Sequence, residues 1–229
     1  MKKRLERSVF LLGNAPVTWI IIASLIGFQT VPGLLHELES AQRLLGLNRQ
    51  ALAEGKIHQI LSYILIHGSW THLFLNIGAI LLLGSKLENT LERREIKRLT
   101  LYATLGGALV FLLLSPSNQT LVGSSPLCFA YLLMLTTLSP ELKFLPVSLS
   151  GKTLGMAIML TNLLLAVLNP ALPTGAIAKF GQEIANHIPS LFKASHACHL
   201  GGSLVGWIYG IHMLRPRVSL KSLQQRRKR

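Results

Sequence analysis

Six apolar stretches recur along this 229-residue chain, over about residues 15–35, 62–84, 99–115, 123–139, 153–170 and 197–214. A helix needs roughly 17–25 such residues to cross the hydrocarbon core of a bilayer. A backbone in hydrocarbon must satisfy its own hydrogen bonds, which leaves helices or closed barrels. The strict alternation of a barrel strand is absent. The expected fold is therefore an all-α membrane protein, a bundle of six transmembrane helices. The first and fifth stretches are the most interrupted, by Val31-Pro32-Gly33 and by Asn169-Pro170. No internal repeat and no soluble domain are visible. The organisation reads as an N-terminal segment (1–14), a membrane domain (15–214) and a basic tail (215–229).

The charge distribution agrees with this reading. Half of the residues are hydrophobic and the formal net charge is +14. In a soluble protein such a charge would point to nucleic acid. Here the charges lie between the apolar stretches, so the expected partner is the lipid bilayer and no nucleic acid. Short loops rich in Lys and Arg stay in the cytoplasm. The N-terminus, the loops after the second and fourth stretches and the tail hold 18 of the 23 basic residues. That asymmetry puts both termini in the cytoplasm. The start of the chain resembles a signal peptide but lacks a small-residue cleavage site, so it reads as a retained first span. The tail is a topology signal that also suits anionic headgroups.

Polar side chains in hydrocarbon are costly, and where they persist they mark function by default. Five stand out: His67, His72 and Asn76 at the second stretch, Ser125 at the fourth and His199 at the sixth. The second, fourth and sixth stretches all run inward, so topology alone brings these residues to one level near the outer surface. His72 and Asn76 are four apart and share a helix face. Two donors on one face suit a developing oxyanion, or they simply bond across helices. Gly123-Ser-Ser125-Pro126 reads either as a capped helix start or as a nucleophile held at a helix N-terminus, where free N–H groups favour negative charge. Gly202, Gly206 and Gly210 form a groove for a close neighbour. His199 lies three residues before Gly202, on nearly the same face. If the fourth stretch fills the groove, His199 approaches Ser125.

Other chemistry is weaker. Cys128 and Cys198 have no metal-ligand spacing and form no disulfide framework, although each lies beside a candidate residue. Histidines on neighbouring spans also serve haem or a metal, but no matching pair exists at the opposite face, and Ser125 and Asn76 would be left without roles. No cofactor and no metal are expected.

The pattern His67-x4-His72-x3-Asn76, then Gly123-x-Ser125, then His199-x2-Gly202-x3-Gly206 resembles the rhomboid intramembrane serine proteases. Gly84-Ser-Lys-Leu-Glu88 resembles the family's glycine-and-acid pattern after its second span. The resemblance covers about residues 57–214 and implies roles. Ser125 would be the nucleophile and His199 its general base. The Ser125 N–H with the His72 and Asn76 side chains would form the oxyanion hole. His67, Gly123, Phe129, Gly202 and Gly206 would support the site. The substrates would be transmembrane proteins, cut within or beside a membrane helix. Three positions depart from the family: Pro126 replaces the usual Gly, Phe129 the usual Tyr, and His58-Gln59 a common Trp-Arg pair. Pro126 keeps open a second expectation, an inactive rhomboid-like protein that binds membrane clients. The long links 36–61 and 171–196 are candidate lids. Short loops and no transit peptide point to a multi-pass protein of the bacterial cytoplasmic membrane. The oligomeric state is not legible.

Overall fold

The computed structural model describes residues 14–144, 148–192 and 194–215. The basic N-terminal residues 1–13 and the tail 216–229 lie outside the described residues. In chain order the helices are α1 (Pro16–Leu34), α2 (Leu38–Leu45), α3 (Arg49–Ala53), α4 (Gln59–Ser62), α5 (Trp70–Glu88), α6 (Arg93–Leu114), α7 (Ser125–Leu138), α8 (Gly151–Val167), α9 (Ala176–His187) and α10 (His196–Leu214). Helices thus stand at all six expected places. Three of them, α1, α5 and α6, are long and apolar enough to cross a membrane by themselves. Their outward residues, among them Trp19, Ile20, Leu75, Leu82 and Leu113, are exposed. Apolar surface on this scale is solvated by lipid, not water.

The second expected stretch begins differently from the sequence reading. The helix does not run from residue 62. Ser69 caps α5 by accepting a hydrogen bond from His72 N at 3.1 Å, so the helix starts at Trp70. His67 is therefore in the link before the helix, not on it. At the other end α5 continues to Glu88, whose buried carboxylate accepts from Val17 N, Thr18 N and Thr18 Oγ1 at 2.9–3.0 Å. A carboxylate at a helix N-terminus is favoured by the dipole and the orphan N–H groups there. Gly84 lets Thr18 approach, since a Cβ at Gly84 would sit 2.9 Å from Thr18 Oγ1. The Gly84-to-Glu88 segment thus fastens α1 to α5. Pro32 does not end α1, which runs through it to Leu34.

Short α7, with 14 residues, occupies the centre. It is apolar all round, as an enclosed helix must be, and ten of its residues are buried. Glycine contacts fix its neighbours. A Cβ at Gly202 would run into the Pro126 carbonyl, and one at Gly206 into the Ala130 carbonyl. Both pairings advance by four residues in the same sense, so α7 and α10 are parallel. The groove predicted on α10 is filled by α7. On the next face of α10, Gly201 meets the Gly106 carbonyl of α6. Tyr131 Oη pairs with Thr100 Oγ1 at 2.7 Å, while Gly107 faces Pro126, so α6 runs antiparallel to α7. Gly155 of α8 faces Thr136, and Gly151 the Ser139 carbonyl, again antiparallel. Alternating directions bring the starts of α5, α7 and α10 to one end of the bundle.

Both long links contain structure. Residues 36–61 fold into α2, α3, α4 and a two-residue strand β1 (Leu47–Asn48), which pairs antiparallel with β2 (Thr120–Leu121). A second short hairpin joins β3 (Lys143–Phe144) to β4 (Leu149–Ser150). Residues 171–196 form α9 and a 3₁₀ turn over Pro189–Phe192.

Candidate functional site

The segment before α7 is held at several points. β2 ties it to the first link. Gly123 N donates to the Tyr63 carbonyl at 2.9 Å. Gly123 has φ +112°, a conformation that side chains resist. Space requires glycine there as well, because a Cβ would lie 2.6 Å from His72 Cε1. The His72 ring thus packs on the bend just before the two serines.

Ser124 is the N-cap of α7, but its side chain makes no capping bond. It turns to His67 instead. Ser124 N donates to His67 Nε2 at 3.1 Å, and Ser124 Oγ lies 3.1 Å from the same nitrogen. An amide N–H can only donate, so Nε2 carries the lone pair and Nδ1 the hydrogen. His67 Nδ1 is buried without a partner among the described residues. The backbone of His67 is clamped in turn. Its N–H donates to Gln29 Oε1 at 2.9 Å and its carbonyl accepts from Gln42 Nε2 at 2.9 Å. Both Ser124 and His67 are fully buried. His67 thus bonds the residue before Ser125 through its ring and is itself held through its backbone.

Ser125, one residue on, is the first residue of α7 and is 8% exposed. Its N–H belongs to the orphan first turn and donates no hydrogen bond among the described residues. A cavity of about 740 Å³ opens beside it, with Ser125, His199, His72 and Asn76 all in its wall. Sequence spacing anticipated this convergence. Phe129, one turn along α7, stacks on the His199 ring with centroids 4.4 Å apart and planes 27° apart. The ring contact survives without the hydroxyl of the usual Tyr. No hydrogen bond joins Ser125 to His199 among the described residues. Nucleophile and base are often loosely aligned without substrate and tighten when it binds. His196 meets His199 edge-on at 5.6 Å and bonds the Leu191 carbonyl at 2.6 Å, which ties the start of α10 to the preceding link.

Pro126 fits its place. As the second residue of α7 it removes an N–H that has no intrahelical partner. Its ring sits against Gly107 of α6, where an added Cβ would be 2.7 Å from Pro126 Cβ. His58 and Gln59 also anchor the first link, although they are not Trp-Arg. His58 Nε2 lies 3.0 Å from the Leu44 carbonyl. Gln59 donates to the Arg43 and Leu44 carbonyls and accepts from Asn48 N, all at 3.2 Å.

Several contributors were not singled out from sequence: Gln29, Gln42, Tyr63 and the Ser124 side chain. Gln29 carried a usable signal, since it is a polar residue inside an apolar stretch, the same criterion that selected the other five.

Comparison with known proteins agrees with this architecture. Residues 54–216, well over half of the chain, match the Rhomboid domain. The chain belongs to the rhomboid family, and is thus a membrane protein of that fold. It is also similar to the RHOMBOID-like protein 5 of Arabidopsis thaliana, 26% identical over 183 residues that cover 79% of this chain and 52% of the relative. The chain thus spans about half the length of that relative.

Proposed function

We propose that this chain is an intramembrane serine endopeptidase that cuts transmembrane segments of membrane proteins with a Ser125–His199 dyad. The observation that carries the reading is the shared cavity wall: a serine at a helix N-terminus, a histidine on a parallel helix, and Asn76 with an Nδ2 that has no partner among the described residues. Ser125 Oγ attacks the scissile carbonyl while His199 accepts its proton and later delivers it to the leaving amine. The oxyanion is received by Ser125 N–H, Asn76 Nδ2 and His72. Water then hydrolyses the acyl-enzyme by the same route in reverse. His67, Gly123, Phe129, Gly202 and Gly206 hold these groups in place. The alternating helix directions and the basic-residue asymmetry support a reading of six spans with both termini in the cytoplasm. That orientation opens the cavity to the outer aqueous face. The location proposed for it is the cell membrane, the bacterial cytoplasmic membrane.

Reconstitution with a model transmembrane substrate in vesicles tests the reading. Cleavage within or beside the substrate's membrane helix is expected, and its loss in Ser125→Ala and His199→Ala. Binding of the substrate without any cleavage by folded wild-type protein would establish the inactive client-binding alternative instead.

A further inference from the structure

Asn76 is an unusual donor. It is 7% exposed, and its Nδ2 group has no hydrogen-bond partner among the described residues although it is buried. Leaving a buried amide N–H₂ unpaired is unfavourable, so something must hold the amide this way round. Its other half is engaged. Cys128, one turn into α7 from Ser125, places Sγ 3.5 Å from Asn76 Oδ1. The same sulfur lies 3.7 Å from the Asn76 carbonyl and 3.7 Å from the Ser124 carbonyl. Every acceptor around the thiol is an oxygen, and Oδ1 is the nearest. A thiol donates one hydrogen and is a poor acceptor. Turning the amide over would put N–H₂ against sulfur and lose the only partner that Oδ1 has among the described residues.

From this we infer that Cys128 is a positioning residue: its thiol fixes the Asn76 amide with Oδ1 bound and Nδ2 left free for the oxyanion. This deepens the protease reading and rests on it. The amide is then oriented before substrate arrives, and the donor needs no reorganisation as charge develops. Both residues line the cavity that holds Ser125 and His199. The neighbouring cysteine, Cys198, is fully buried and lies beside Tyr63 and Ser125.

The test compares Cys128→Ala with Cys128→Ser in the full-length protein, since Ser keeps a donor at nearly the volume of Ala. The readouts are kcat and KM on a model transmembrane substrate, the rate of fluorophosphonate labelling, and the unfolding midpoint in detergent. Cys128→Ala is expected to lower kcat and labelling about tenfold with KM unchanged. Cys128→Ser is expected to restore both to within about threefold of wild type. In an Asn76→Ala background, Cys128→Ala should have no further effect, because the two act through one group. Wild-type rates in Cys128→Ala would overturn the inference while leaving the protease reading intact. Equal losses in Ala and Ser variants, or additivity with Asn76→Ala, would also overturn it, by making the thiol a packing group. A wild-type protein that neither labels nor cleaves would remove the protease reading itself, and this inference with it.

Discussion

Two serine–histidine pairs sit side by side at the start of α7, and they are built oppositely. Ser124 and His67 are hydrogen-bonded, fully buried and walled by Gln29 and Gln42. Ser125 and His199 share a cavity wall, make no bond to each other among the described residues, and border a donor without a partner in Asn76 Nδ2. The first pair has spent its hydrogen bonds on holding the chain. Beside the second, Asn76 Nδ2 is left without a partner among the described residues, while the Ser125 hydroxyl lies against the buried Cys198 thiol. Two adjacent serines thus divide the work. Ser124 fixes the bend and Ser125 faces the space where a substrate would lie. A hydrogen bond between Ser and His is therefore a poor guide to the nucleophile here, and access is the better one.

Substitutions can break or sharpen that division. The largest effect is expected from Ser125→Ala, which should lower peptide cleavage by at least about a thousandfold while the unfolding midpoint stays near wild type. Cleavage assayed beside thermal unfolding in detergent separates the two. Asn76→Ala should cost about a hundredfold or more in kcat through loss of one oxyanion donor, with KM little changed. Gly123→Ala attacks the bend that both pairs share. It forces an L-residue to φ +112° and drives a Cβ into His72, so it should lose about 1–3 kcal/mol of stability together with most activity. Ser124→Ala should show the reverse profile to Ser125→Ala. The His67 Nε2 acceptor is left with one donor fewer, at a cost of about 1 kcal/mol, and cleavage persists. Strong loss of activity in Ser124→Ala at unchanged stability would reverse the assignment of the two serines.

Much of this was legible in the sequence because membrane solvation is so restrictive. Apolar length gave the helices to within about three residues for α1, α7, α8 and α10, whereas α6 begins at Arg93, ahead of the expected residue 99, because its first turns are charged. The four-residue glycine spacing gave a groove for a close neighbour on α10, since only close backbone approach explains three helical glycines on one face, but it left open that α7 fills it. The start of α5 was misplaced. Residues 62–66 are as apolar as the helix that follows, and hydropathy does not distinguish a buried link from a span. Only the Ser69 cap makes the distinction, a local hydrogen bond that averages over a window conceal. The role of Ser124 was also hidden. Its nearest signal was that of an N-cap, and its partner His67 is 57 residues away. The seat for Pro126 depended on Gly107 in another helix, a pairing that no local pattern announces.

The most direct measurement is the site of covalent modification. Folded wild-type protein is treated with a fluorophosphonate, and the peptide spanning Gly123 to Phe129 is sequenced by tandem mass spectrometry. The account predicts one adduct, on Ser125, that is absent when His199 is replaced by Ala. An adduct on Ser124, or none on protein that is demonstrably folded, would contradict it.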